Sequence, residues 1–306
     1  MIDFLKRPWR WAVCFSIALV GAFAFILLDT FVIPRAQAPA AFPAPAAGRE
    51  ESGPPVLPEE PVITEASYSD GGVTISIETA RAHDTTYYVA DIRLTDQSFL
   101  RTALAGDTFG RNIKETTSEI AEKHGAILAV NGDYYGFRDE GYVLRNGTLY
   151  RDVPREPGGD AALLIDGAGD FSIAGENELT EQLLEEWGIR QMFSFGPALV
   201  EDGQVAVTPS SEVDQSMRSN PRTAIGQIAP LHYVMVVSDG RTRESAGLSL
   251  AELAEILDGL GCQTAYNLDG GGSSTMVFNG RVVNNPTNGR RSKEREVSDI
   301  VYIGYR

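Results

Sequence analysis

The residues best suited to chemistry in this 306-residue chain fall in short blocks between apolar runs. The sharpest is Asn267-Leu268-Asp269-Gly270-Gly271-Gly272-Ser273-Ser274-Thr275, directly after the run Gln263 to Tyr266. Its three glycines let the backbone turn through positive φ and approach a ligand with no Cβ in the way. Successive N–H groups in such a turn can form a nest for an anion, and the hydroxyls of Ser273, Ser274 and Thr275 add donors. The bland alternative is a tight structural turn capped by Asp269. Met276-Val277-Phe278-Asn279-Gly280 follows as a strand and hairpin, not a helix. That excludes a P-loop and a dinucleotide fingerprint, which both place phosphate on a helix N-terminus.

Asn131-Gly132-Asp133-Tyr134-Tyr135 offers a carboxylate, an amide and two rings at one strand end. That set suits a sugar, and it equally suits an Asx turn beside core tyrosines. Pro221-Arg222-Thr223 places a guanidinium and a hydroxyl at a strand start, where the planar fork of arginine fits phosphate, carboxylate or an ordinary salt bridge. Asp239-Gly240-Arg241 and Glu294-Arg295-Glu296-Val297-Ser298 say little in isolation. His83, His124 and His232 stand apart from every block, and Cys262 reads as a small buried residue.

The elements that must position these blocks are short. Residues 73–79 and 87–95 alternate apolar and polar as half-buried strands do. Thr116-x-x-Glu119 opens a helix that stops at Gly125, and Ala126 to Val130 reads as a buried strand. Asn146-Gly147, Asp202-Gly203 and Asn279-Gly280 each signal a hairpin. Further helices are expected at 179–187 and at 249–260, the latter capped by Ser249-x-x-Glu252 with Leu250, Leu253, Ile256 and Leu257 on its core face. Hairpins outnumber βαβ alternation, so the fold class is α+β: a mixed, largely antiparallel sheet with a few packed helices in a single globular domain.

That domain spans 67–306. Ahead of it, residues 1–33 contain Trp11 to Leu28, which carry no charge and approach the ~20 residues that cross a bilayer. Lys6, Arg7 and Arg10 precede the run and place the N-terminus in the cytoplasm and the domain outside. Two other readings are a signal peptide cut near Ala38 and a buried core helix. Residues 34–66 are rich in Pro and Ala and read as an extended linker. The formal charge is −16, which excludes a general nucleic-acid footprint. The composition offers neither a disulfide framework nor a His-rich metal site, and no cofactor is expected.

In order and spacing, Ala129-Val-Asn131-Gly132, Arg222-Thr-Ala-Ile-Gly226, Asp239-Gly-Arg241 with Ser245-x-Gly247, Asn267-Leu-Asp-Gly-Gly-Gly-Ser273 and Arg295-x-Val-Ser298 resemble the phosphodiester glycosidase family. The resemblance implies an enzyme that hydrolyses a sugar-1-phosphodiester at the glycosyl C–O bond, freeing sugar and leaving a phosphomonoester. A phosphate ester leaves readily, so cations and N–H groups that hold its charge replace a strong general acid. Arg222, Arg295 and the loop Gly270, Gly271, Gly272, Ser273 and Ser274 are the expected phosphate holders. Asp269, then Asp133, then Glu294 are the candidate carboxylates for the anomeric carbon. Asn131, Thr223 and Ser298 would orient substrate oxygens. The expected partners are a glycosyl-phosphate or envelope polymer and the membrane, through residues 11–28. Two alternatives stay open: a phosphodiesterase cutting the P–O bond with a cation on Asp133, Asp239 and Asp269, and a non-catalytic polysaccharide-binding module.

Overall fold

The computed structural model describes residues 7–39, 60–155, 161–207, 219–289 and 291–305. After the apolar helix α1 (Pro8–Phe31), the elements that build the domain are β1 (Val73–Ala82), β2 (Thr85–Leu94), β3 (Leu100–Leu104), α2 (Thr117–Lys123), β4 (Leu128–Asn131), β5 (Val143–Arg145), β6 (Thr148–Arg151), β7 (Ala161–Asp166), β8 (Phe171–Gly175), α3 (Glu181–Glu186), β9 (Ile189–Phe193), β10 (Ala198–Glu201), β11 (Thr223–Ala229), β12 (His232–Ser238), α4 (Leu250–Gly259), β13 (Thr264–Asn267), β14 (Met276–Phe278) and β15 (Asp299–Ile303).

Three antiparallel sheets share one core. The largest runs β10-β13-β11-β12-β2-β1, extended at its two edges by Gln204–Val205 and by Ser67–Ser69 with Val62–Ile63. The second runs β14-β4-β15-β3 with Arg281–Val282 at its edge, and the third runs β6-β5-β9-β7-β8. Strand periodicity divides the apolar residues between faces. Ile225, Met235, Val237 and Tyr266 of the large sheet turn inward against Leu128, Val130, Val301, Leu163 and Phe193 of the other two. Ala224, Val234, Val236 and Ala265 turn outward under Leu250, Leu253 and Leu257 of α4. In the same way α2 covers the outer face of the second sheet through Ile120, and α3 covers the third through Leu184. The α+β, largely antiparallel reading is correct.

Local signals explain the boundaries. Thr116 and Ser249 each form a complete capping box, with Glu119 and Glu252 returning the bond. Gly125, at φ 60°, follows α2. The three pairs expected to turn hairpins hold both residues at positive φ: Asn146 and Gly147, Asp202 and Gly203, Asn279 and Gly280. A fourth turn of this type, His83-Asp84 between β1 and β2, carries no glycine and gave no signal. Cys262 is buried, and burial pushes its thiol up to about 12, so it is inert filling.

Residues 34–66 do not all behave as a spacer. Arg35–Ala36 pairs with Gly110–Arg111, and Val62–Ile63 pairs with Ser67–Ser69. Residues 40–59 of that segment lie outside the described residues.

Arg145 joins the second and third sheets. From β5 its Nη2 reaches Asp133 at 2.9 Å, its Nε reaches Asp299 of β15 at 2.8 Å, and Nη1 donates to the Met192 carbonyl of β9. Arg145 and both carboxylates are almost fully enclosed. Removing the cation leaves two buried like charges, so Arg145→Leu is expected to lower stability by about 3–5 kcal/mol. Chemical denaturation of the variant beside the parent chain measures the loss.

Candidate active site

The glycine block leaves β13 and crosses between β11 and β4. Gly271–Ser273 forms one 3₁₀ turn, and strand β14 follows. The turn is pinned from below. Asn131 donates through Nδ2 to the Asp269 carbonyl at 2.6 Å, while its Oδ1 accepts from Thr223 Oγ1 at 2.8 Å and from the Thr275 N–H at 3.3 Å. The Asp269 N–H donates to the Gly132 carbonyl. Asn131 and Thr223 therefore brace the loop across three strands and are fully buried.

Three N–H groups of the expected anion nest are taken up within the protein. The Gly271 N–H donates to the Pro221 carbonyl at 2.8 Å, Ser273 to Gly270 and Ser274 to Gly271. The glycines instead admit two guanidinium groups. A Cβ on Gly272 would lie 2.7 Å from Arg295 Nε, and one on Gly271 (φ 64°) would lie 2.8 Å from Arg241 Nη2. Arg241, itself at φ 61°, is steered by Asn220, whose Oδ1 accepts from its Nε at 2.9 Å. Burial lowers its pKa first and the neighbouring Arg295 charge adds to this, while Asp269 opposes both. Two cations held this close favour an anion between them.

A cavity of about 670 Å³ opens beside this loop, lined in part by Asp269, Ser273, Arg295, Ser298, Tyr134 and Phe137. Asp269 is partly open to it. Desolvation raises its carboxyl above the ordinary range; the Ser273 hydroxyl, which donates to Oδ2 at 2.5 Å, pulls the other way, followed by Arg295, the Gly270 N–H and Arg138. The rings of Tyr134 and Phe137 stack at 4.7 Å, with the Arg138 guanidinium 5.5 Å over Tyr134. Lys114 and Lys293 complete the rim.

The other two carboxylates are occupied. Asp133 lines the cavity but accepts from Arg145 and from the Tyr135 N–H. Glu294 also lines it, with both oxygens on Ser118 at the start of α2: the N–H at 3.1 Å and the hydroxyl at 2.5 Å. Arg222 is buried behind the loop, its Nε on the Leu248 carbonyl at 2.9 Å, and does not line the cavity. Ser274 and Thr275 are buried below the turn. Of the two tyrosines expected to face sugar, Tyr135 is in the core against Phe109, its hydroxyl on the Ser298 carbonyl.

Sequence reasoning missed Lys114, Phe137, Arg138 and Lys293 and set Arg241 aside. Phe137 and Arg138 lie close to the Asp133 block, and Lys293 adjoins Glu294, but single aromatic and basic residues carry no pattern. Asp239, the third residue of the cation alternative, accepts from the Asn285 N–H and side chain and from Tyr88. Among the described residues no group of three or more His, Cys, Asp or Glu is placed to hold a metal.

A glycine loop under paired arginines, an acid of raised pKa and an aromatic wall meet at one cavity. The family model for phosphodiester glycosidases matches residues 124–304, more than half of the chain, and the chain belongs to that family. It is 30% identical over 203 residues to the SPbeta prophage-derived uncharacterized protein YomE of Bacillus subtilis, covering 64% of this chain and 31% of that protein. It is 25% identical over 209 residues to mouse N-acetylglucosamine-1-phosphodiester alpha-N-acetylglucosaminidase, covering 62% and 40%. The chain thus spans 31% to 40% of these relatives' own length. The fold matches the zebrafish catalytic domain of the same name, auto-inhibited by its pro-peptide, at TM-score 0.60 and 20% identity over 76% of this chain and 82% of that one.

Gly272→Ala forces Arg295 off the loop. We expect a loss of kcat/KM of about 10²-fold, the cost of misplacing a charge-holding group by about 1 Å, with a thermal melt close to the parent's. Sugar-release kinetics and circular dichroism measure the two.

Proposed function

We propose that this chain is a membrane-anchored, extracytoplasmic hydrolase that cleaves the glycosyl C–O bond of a sugar-1-phosphodiester. The observation that carries the reading is the juxtaposition of Asp269, raised by burial and open to the cavity, with Arg295 and Arg241 over the glycine turn. Family membership supports the reaction class, and the names of the mouse and zebrafish relatives suggest N-acetylglucosamine as a first sugar to test.

The sugar ring packs on the Tyr134–Phe137 wall, and the phosphodiester lies between Arg241 and Arg295. As the C–O bond breaks, its electron pair goes to the phosphate oxygen, whose charge the two guanidinium groups hold. Asp269 stabilises the oxocarbenium-like carbon, as nucleophile or as base toward water. The products are the free sugar and a phosphomonoester. Lys114 and Lys293 add positive potential at the rim. Arg222, Asn131 and Thr223 act as braces.

The anchor is α1. Trp9–Phe31 has a mean hydropathy of 2.5 and its apolar side chains are exposed, and three basic residues stand before or at its start. Residues 67–306 form the catalytic domain, and a role in envelope or exopolysaccharide turnover fits an acidic domain held at a cell surface.

Full-length protein in detergent, incubated with N-acetylglucosamine-1-phosphodiesters in ¹⁸O-water, is expected to release sugar carrying the label. Label in the phosphate would mean P–O cleavage, and binding without turnover would favour the polysaccharide-binding module. Asp269→Asn should abolish release while leaving the fold intact. Undiminished release would shift the carboxylate role to Asp133 or Glu294.

The pH profile supplies an independent check. Asp269 must be ionised to act, and its raised pKa places the acidic limb of kcat/KM above the ordinary carboxylate value of about 4. Ser273→Ala removes a donor to the ionised form, so the limb should move further up in pH.

A further inference from the structure

The outer end of α1 is built into the domain. A helix C-terminus leaves its last carbonyls without partners, and here Asn112 supplies one. Its Nδ2 lies 3.1 Å from the Thr30 and Ile33 carbonyls and 3.5 Å from that of Asp29. Asn112 is 4% exposed and holds φ 58°, a left-handed conformation that asparagine tolerates better than most residues. Just beyond the helix, Arg35–Ala36 pairs with Gly110–Arg111, and the Gln37 N–H donates to the Phe109 carbonyl at 2.9 Å. A Cβ on Gly110 would lie 2.0 Å from the Arg35 carbonyl, so only glycine admits this strand.

The receiving segment also builds the cavity. The Asn112 N–H donates to the carbonyl of Gly136, in the turn between the cavity residues Tyr134 and Phe137. Lys114, which lines the cavity, is two residues on. Two residues of chain span at most about 7 Å, so the rim lies on the order of 10–15 Å from the last turn of α1. With 24 residues α1 is about 36 Å long, more than the roughly 30 Å hydrocarbon core, so that turn stands at the level of the headgroups.

We propose that the domain is clamped to the end of its own membrane helix, so that the cavity works at the headgroup layer and its substrate is a membrane-resident glycosyl phosphodiester. The inference rests on the phosphodiester glycosidase reading and on α1 spanning the bilayer. The phosphate group is the same in a soluble ester; what differs is its depth. A domain on a loose tether would sample a wide volume, whereas the clamp fixes one height.

The test uses the full chain in phospholipid vesicles with two probes, N-acetylglucosamine-1-phosphate esterified to a long alkyl alcohol or to methanol. The membrane-held ester should be hydrolysed at least about tenfold faster at equal total concentration, because confinement raises its effective concentration at a fixed site. Two variants release the clamp: Asn112→Gly, which keeps the left-handed backbone, and a six-residue Gly/Ser insertion between Ile33 and Pro34. Both should lose most of that advantage and keep the parent rate on the methyl ester. In parallel, energy transfer from a headgroup-labelled lipid to a dye at Asp139→Cys, in a Cys14→Ser background, should be high in the parent and fall on insertion. Equal rates on both probes with transfer unchanged by insertion would overturn the clamp while leaving the glycosidase intact. Hydrolysis of neither probe by the parent would overturn the glycosidase reading and the substrate class with it, and the transfer measurement would still decide whether the clamp exists.

Discussion

One buried cation holds the layout together. Arg145 lies between Asp133 and Asp299, so a residue at the end of β5 in the third sheet fixes the end of β4 and the start of β15 in the second. Desolvating three charges is expensive, and their attraction offsets that cost only when the geometry and the remaining hydrogen bonds are good. The net charge of the trio is −1 when both acids are ionised. Accordingly Asp299 is pushed up, first by burial, with Arg145 opposing and Asp133 adding to the rise. An ionised Asp299 thus costs stability, and that cost grows as pH rises from the unfolded carboxylate range through the raised value. A proton on Asp299 makes the trio neutral and relieves it.

The trio also distinguishes the carboxylates that border the cavity. Asp133 and Glu294 both border the cavity, yet each spends its charge elsewhere, Asp133 on Arg145 and Glu294 on the N-terminal turn of α2. Carboxylates are stabilising at helix N-termini, so Glu294 also orders the 293–298 segment that brings Lys293, Arg295 and Ser298 to the site. Asp269 is left facing the cavity beside a hydroxyl donor and two arginines. Environment, not residue type, separates the three acids.

Electrostatics elsewhere on the chain work in the opposite sense. The protein carries −16 overall, but the groups around the glycine turn are Arg241, Arg295 and Arg138, with Lys114 and Lys293 at the rim. These cations meet four carboxylates that line the same cavity, Asp133, Asp269, Glu294 and Glu296, so positive charge gathers at the guanidinium pair over the glycine turn and not across the cavity as a whole. The glycines make the focus compact, because a side chain at Gly271 or Gly272 would displace a guanidinium.

Local physics makes much of this legible in the amino-acid sequence alone. The capping boxes at Thr116 and Ser249, the Asn-Gly and Asp-Gly hairpins, the apolar helix and the motif blocks all depend on neighbours within a few residues, and the structure contains each of them. The Asp269–Ser273 turn can be singled out for the same reason. Tertiary structure alone decided the rest. Arg222 reads as a phosphate holder by type and position, yet chain packing sends it to the Leu248 carbonyl. Arg241, weak in sequence, arrives beside Arg295 because β12 ends next to the glycine turn. The N–H groups of Gly271, Ser273 and Ser274 look available in one dimension and are consumed in three by the Pro221, Gly270 and Gly271 carbonyls. Asp133 and Arg145 are 12 residues apart, and Asp299 lies 154 residues beyond Arg145. No local pattern announces that the three meet, because the meeting is made by the packing of whole sheets.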